Sequence, residues 1–196
     1  FPTRYVDYGW AESTKQLPQR EYRELVASSS RRSGTAFTDG MFMSSRDGVH
    51  FTRWLEAFIR PGPQRERWVN RNNMTAWGIV ETASAIEGCP NELSLYSTEG
   101  YYRGDSCQIR RYTLRLDGFV SVNGPYVGGE LVTRPFTFTG SRLAINFATS
   151  AAGGLHVEIQ SADGQPLEGF RLEDCPDIIG DRLESCSSSP WRSSTG

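Results

Sequence analysis

Four side chains in this sequence have the type and placement to contact a hydroxyl-rich ligand: Arg4, Asn73, Trp77 and Glu81. Glu81 closes the apolar run Met74-Thr75-Ala76-Trp77-Gly78-Ile79-Val80-Glu81-Thr82. A carboxylate there can accept hydrogen bonds from hydroxyls or serve as a charge partner; a rim salt bridge is the plainer alternative. The planar fork of Arg4 suits carboxylate or sugar oxygens, or a structural pair with Asp7 or Glu81. Trp77 offers a flat apolar face on which the C–H face of a sugar ring can stack, although such a residue more often packs between β-layers. Asn70, Asn72 and Asn73 precede the same run, and their neutral amides suit hydroxyls as well as ordinary turns. Hydrolysis of a glycosidic bond needs two carboxyl groups across the scissile bond, and the sequence offers no complete pair. His50 lacks a serine-nucleophile motif or metal-ligand spacing around it, and reads as a strand-surface residue. Glu99, Asp105 and the basic run Arg110, Arg111 and Arg115 read as solvated strand faces. Asp174, Asp177 and Asp181 could hold calcium through carboxylates, yet no EF-hand loop surrounds them. No metal site and no cofactor are expected.

The elements that must position these residues are strands. The 196 residues include 20 Gly and 10 Pro, with 12% aromatics, a profile that favours a turn-rich β protein over a helical one. A formal net charge of −2 gives no support to a nucleic-acid surface, and no apolar run is long enough to span a bilayer as a helix. Cys89, Cys107, Cys175 and Cys186 lack the C-x-x-C spacing of a zinc site. Two local disulfides, 89–107 and 175–186, are open if the protein is exported; free thiols are the reading favoured here. Export or a periplasmic location stays open on these grounds.

The clearest local signal is Met41-Phe42-Met43-Ser44-Ser45-Arg46-Asp47-Gly48-Val49-His50-Phe51, which reads as a β-hairpin turning at Asp-Gly. Ser45 and Asp47 can bond turn amides and close the loop. Strands are expected at 35–44 and 49–54, with a short third strand at 57–59. Residues 6–33 read as irregular, with a helical turn or an outer strand at 21–27. A second set of strands is expected at 74–82, covered on both faces, then 92–98, 108–116 and 119–122. Two units thus share one order of strands, the first ending near Pro61 and the second spanning 74–122. Repeats of this size resemble propeller blades. After Asn123-Gly124-Pro125, period-2 stretches at 130–134, 136–139, 142–147 and 155–160 read as a β-sandwich, and 169–191 as loop. The expected domains are 1–122, a partial propeller of two blades, and 123–196, a partial sandwich.

Ser45-Arg46-Asp47-Gly48-Val49-His50-Phe51, Ala76-Trp77-Gly78-Ile79-Val80-Glu81-Thr82, Asn91-Glu92-Leu93-Ser94-Leu95-Tyr96 and Arg110-Arg111-Tyr112-Thr113-Leu114-Arg115-Leu116-Asp117-Gly118-Phe119 resemble a group of largely uncharacterised bacterial proteins. These are glycoside-hydrolase-like and related in fold to the five-bladed propellers of invertases and arabinanases. The resemblance implies the last two blades of a five-bladed propeller followed by an incomplete C-terminal sandwich. It also implies a carbohydrate substrate or ligand, and catalytic carboxylates on blades upstream of this chain. Ser-x-Asp-Gly-x-x-Phe further resembles the structural Asp-box turn of sialidase-like propellers. A non-catalytic glycan-binding or scaffold module is the alternative.

Overall fold

The computed structural model describes residues 1–101, 107–140 and 142–188. It is built mainly of antiparallel strands with a few short helices. Two compact units share the chain: Phe1–Ala85 with Asn91–Leu114, and Ile86–Pro90 with Arg115–Gly196. Asp105, read as a solvated residue, and the tail beyond 188 lie outside the described residues.

The first unit carries two three-stranded sheets. In one, β1 (Thr3–Asp7), β2 (Ala36–Ser45) and β3 (Phe51–Ile59) follow each other in space as in sequence. The β2–β3 hairpin turns where the sequence places it, and its chemistry is local. Ser45 Oγ donates to Asp47 Oδ1 at 3.0 Å and accepts from the Gly48 amide at 2.9 Å. Asp47 Oδ1 also accepts from the Val49 and His50 amides at 2.9 and 2.7 Å. Gly48 takes φ +74°, which an L side chain rarely adopts. The third strand expected at 57–59 is the far end of β3, because two bulges in β3 keep the ladder running from Ser45↔Phe51 to Gly40↔Ile59.

Residues 12–35 fold as helices: α1 (Glu12–Lys15), α2 (Arg20–Ser29) and α3 (Arg31–Thr35). Of the two readings open for 21–27, a helical turn or an outer strand, the helix is the one formed, and it is anchored by Arg23. It is buried, and its guanidinium donates to the carbonyls of Pro18 at 3.0 Å and Trp68 at 2.8 Å. A polar residue thus occupies the inward stripe of this helix. Gly34 lets α3 approach α2 closely; a Cβ there would lie 2.4 Å from the Arg23 carbonyl.

The second sheet orders β4 (Val80–Thr82), β5 (Glu92–Glu99) and β6 (Gln108–Arg115). The first sheet packs against the segment that leads into it. Thr38 Oγ1 donates to the Asn72 carbonyl at 2.5 Å, and Asn73 Nδ2 donates to the Thr38 carbonyl at 2.9 Å. Phe37 meets Trp68 edge to face at 5.6 Å. Ala36, Phe37, Met41, Ile59, Val69 and Leu95 form the buried apolar core of this unit.

The second unit is thinner. Among the described residues its one ladder pairs β7 (Arg142–Ala148) with β8 (Asp181–Ser188), so the tail of the stretch read as loop is a strand. Residues 119–122, 130–134 and 136–139 are not strands, and 155–160 makes only single bridges, at Leu155↔Ile178 and Gln160↔Pro166. Alternation alone does not supply a neighbour to pair with. Phe136 and Phe138 touch each other at 6.0 Å yet both stay exposed. Among the described residues no helix is long and apolar enough to cross a membrane.

Candidate functional site

The run at 74–82 was expected to be one covered strand. It is a ladder broken in the middle. The Asn73 amide donates to the Thr98 carbonyl at 2.9 Å, and the Ala76 amide to the Tyr96 carbonyl at 2.7 Å. Thr75 faces Ser97, and Val80 faces Ser94. Five steps on one side (75 to 80) thus match three on the other (97 to 94), a surplus of two residues. The surplus bulges away from the sheet at Trp77-Gly78-Ile79, with Gly78 at φ +99°. Trp77 rides on that bulge with its entire side chain in solvent, at 101% relative accessibility. The sign in the sequence was Gly78 inside a strand pattern, which marks a bulge.

Glu81 stands on β4 beyond the bulge, exposed, and pairs with Leu93 across the ladder. Asn91 Nδ2 donates to Glu81 Oε1 at 2.8 Å, a contact the sequence reading missed. One amide hydrogen orients the carboxylate and leaves its second oxygen available as an acceptor.

The other two candidates are turned inward or occupied. Arg4 Nη2 binds Asp39 Oδ2 at 2.6 Å, Nε reaches Oδ1 at 3.1 Å, and Nη1 donates to the Leu55 carbonyl at 3.0 Å. This bidentate pair with Asp39 raises the Arg4 guanidinium above its ordinary value. The expected partners Asp7 and Glu81 are not the ones used; Asp7 accepts from Thr35 Oγ1 and from the Gly9 amide. Asn73 is fully buried, and its side chain ties the sheets together through Thr38 and Arg67.

Around Asn73 lies a charged network that the sequence reading placed on solvated faces. Glu99 is 3% exposed at its side chain and takes Arg110 Nε on Oε1 at 2.6 Å. Arg67 Nε lies 2.9 Å from the same oxygen, close enough to pair, although its N–H is not aimed along a hydrogen bond. Arg67 Nη2 donates to Asn73 Oδ1 at 2.7 Å and to the Tyr112 hydroxyl. Tyr112 in turn donates to Glu99 at 3.3 Å, and burial raises its pKa above the usual phenol value. Arg110 is raised by its bond to Glu99. Two cations converge on one buried carboxylate, which makes it a structural tie. The readable sign was parity: Glu99 shares its strand face with Leu93, Leu95 and Ser97.

Comparison with protein-family models, with curated proteins and with solved structures found no match.

Asp47 is the most perturbed carboxylate. The His50 side chain, at 2.6 Å from Oδ2, is the largest cause holding it well below the ordinary range, followed by the His50 and Val49 amides. His50, read as a plain surface residue, therefore belongs to the turn. Cys89, Cys107 and Cys175 are free thiols. His156 Nε2 lies 2.8 Å from Asp177 Oδ1 in the second unit. Among the described residues no group of three or more His, Cys, Asp or Glu is placed to hold a metal ion.

Proposed function

We propose that this chain is the glycan-contacting, non-catalytic part of a carbohydrate-active protein. The observation that carries this reading is the two-residue bulge that lifts Trp77 clear of the second sheet, beside the exposed Glu81–Asn91 pair. A solvent-facing indole costs hydrophobic free energy unless something covers it, and the C–H face of a sugar ring fits that surface. Carboxylate and amide oxygens beside it accept from ring hydroxyls. The two three-stranded sheets are read as two blades of a five-bladed propeller of the invertase and arabinanase type, with the second unit part of a C-terminal sandwich.

In that setting the parent protein hydrolyses a glycosidic bond by general acid–base catalysis, its two carboxyl groups standing on other blades. The carboxylates in this chain support a binding role instead. Asp39 is committed to Arg4, Glu92 to Arg111 at 2.9 Å, and Glu99 to Arg67 and Arg110. A glycan array probed with the chain tests the proposal: the expected outcome is retention on at least one neutral oligosaccharide, lost in Trp77→Ala. No retention on any sugar would count against it. A scaffold role is the second reading, favoured by the same commitment of carboxylates, and array silence with intact folding is its signature.

A further inference from the structure

From Asn72 to Tyr102 the sequence contains no Lys or Arg, yet it contains Glu81, Glu87, Glu92 and Glu99. In the first unit the network removes two of these charges: Glu92 is paired with Arg111 and Glu99 with Arg67 and Arg110. Among the described residues Glu81 keeps only a neutral amide partner, Asn91. It follows the Trp77 bulge by four residues, so their Cα atoms lie within about 14 Å of each other along the chain. An exposed indole and an exposed carboxylate without a cation thus share one short surface strip. Both prefer positive charge, the ring through its negative face and the carboxylate through Coulomb attraction and hydrogen bonding.

We propose that the Trp77–Glu81 strip selects amine-bearing sugar chains, such as glucosamine oligomers, over neutral ones, and discriminates against uronic-acid chains. This rests on the reading of Trp77 as a glycan platform and names the class of glycan. The ammonium of the sugar adds a cation–π contact on the indole and a charge-assisted bond to the free Glu81 oxygen. The carboxylate of a uronic acid instead meets Glu81 with like charge. Because the strip is open to solvent, the preference weakens as salt screens it.

Quenching of tryptophan fluorescence is measured with glucosamine, N-acetylglucosamine and galacturonic acid oligomers of equal length, on the full chain, Trp77→Ala and Glu81→Gln. Both side chains are exposed, so both variants keep the fold, which circular dichroism checks. The expected order is amine over neutral over uronate, with the amine at least roughly two- to five-fold tighter than the neutral oligomer at low salt. Glu81→Gln shrinks that margin while neutral binding persists, and Trp77→Ala removes all of it. Equal binding of amine and uronate oligomers, or an amine preference unchanged in Glu81→Gln, overturns this proposal and leaves glycan binding standing. No quenching by any oligomer overturns both.

Discussion

The same four-residue grammar, Ser-x-Asp-Gly, occurs once in each unit, and the two copies have different consequences. Ser45-Arg46-Asp47-Gly48 closes β2–β3, a long hairpin inside a three-stranded sheet. Ser161-Ala162-Asp163-Gly164 closes a loop whose nearest pairing is the single bridge Gln160↔Pro166. The turns themselves are alike. In each, the serine hydroxyl donates to the aspartate, the glycine takes positive φ, and the carboxyl is held below its ordinary range. What differs is what stands next to the strands. β2 has a neighbour on each side and a buried polar network beneath it; among the described residues, 155–166 make only the isolated bridges Leu155↔Ile178 and Gln160↔Pro166. Local sequence fixes a turn, and long-range partners decide whether it becomes a sheet.

The largest break of this contrast is a pair of leucines. Leu95 is 1% exposed on β5, and Leu131 is 66% exposed in the second unit. Leu95→Ala costs roughly 3 kcal/mol of stability, whereas Leu131→Ala stays within about 0.5 kcal/mol; urea denaturation curves measure both. Glu99→Gln comes next, at roughly 2 kcal/mol, because it leaves two guanidiniums without their shared charge. Amide hydrogen exchange should show the loss spreading across β5 and β6 while residues 130–139 exchange as before. A smaller effect is expected from Gly40→Ala. Its Cβ would meet the Asn73 carbonyl at 3.0 Å and Ile59 Cβ at 3.1 Å. A thermal melt should register a cost of about 1 kcal/mol.

The smallest effect sharpens the comparison of turns. The Asp47 native pKa lies below its unfolded value, so the ionised carboxylate's contribution is full above the ordinary aspartate range, about pH 4. That contribution is lost as pH falls through the native value. Replacing His50 with Ala removes the largest cause, so Asp47 moves up toward the ordinary range in a carboxyl NMR titration. Asp163, held chiefly by Ser161, does not move.

Much of the first unit is legible in sequence, because its signals are short-range or strictly periodic. The Asp47-Gly48 hairpin and the strands at 92–98 and 108–116 carry both kinds of signal. Helix α2 was legible at 21–27 only as one of two alternatives, a helical turn or an outer strand; its anchor Arg23, a charged residue buried against three backbone carbonyls at Pro18, Gly34 and Trp68, was not. Residues 130–139 failed in the opposite sense: their alternation is good, but nothing among the described residues pairs with it. At the candidate site, Trp77 and Glu81 were found by residue type, while Asn91 was not, since only the fold brings it to Glu81. Arg4 and Asn73 have suitable chemistry, but Asp39, Thr38 and Arg67 claim it first.

On the proposed reading, the bulge at Trp77 contacts glycan while the paired polar residues, Arg4 among them, only hold the sheets. Affinity electrophoresis in a gel containing a polysaccharide retained on the array tests it with the wild-type chain, Trp77→Ala and Arg4→Ala. The expected outcome is retardation of the wild type and of Arg4→Ala, and free migration of Trp77→Ala. Retardation of Trp77→Ala equal to the wild type would contradict it.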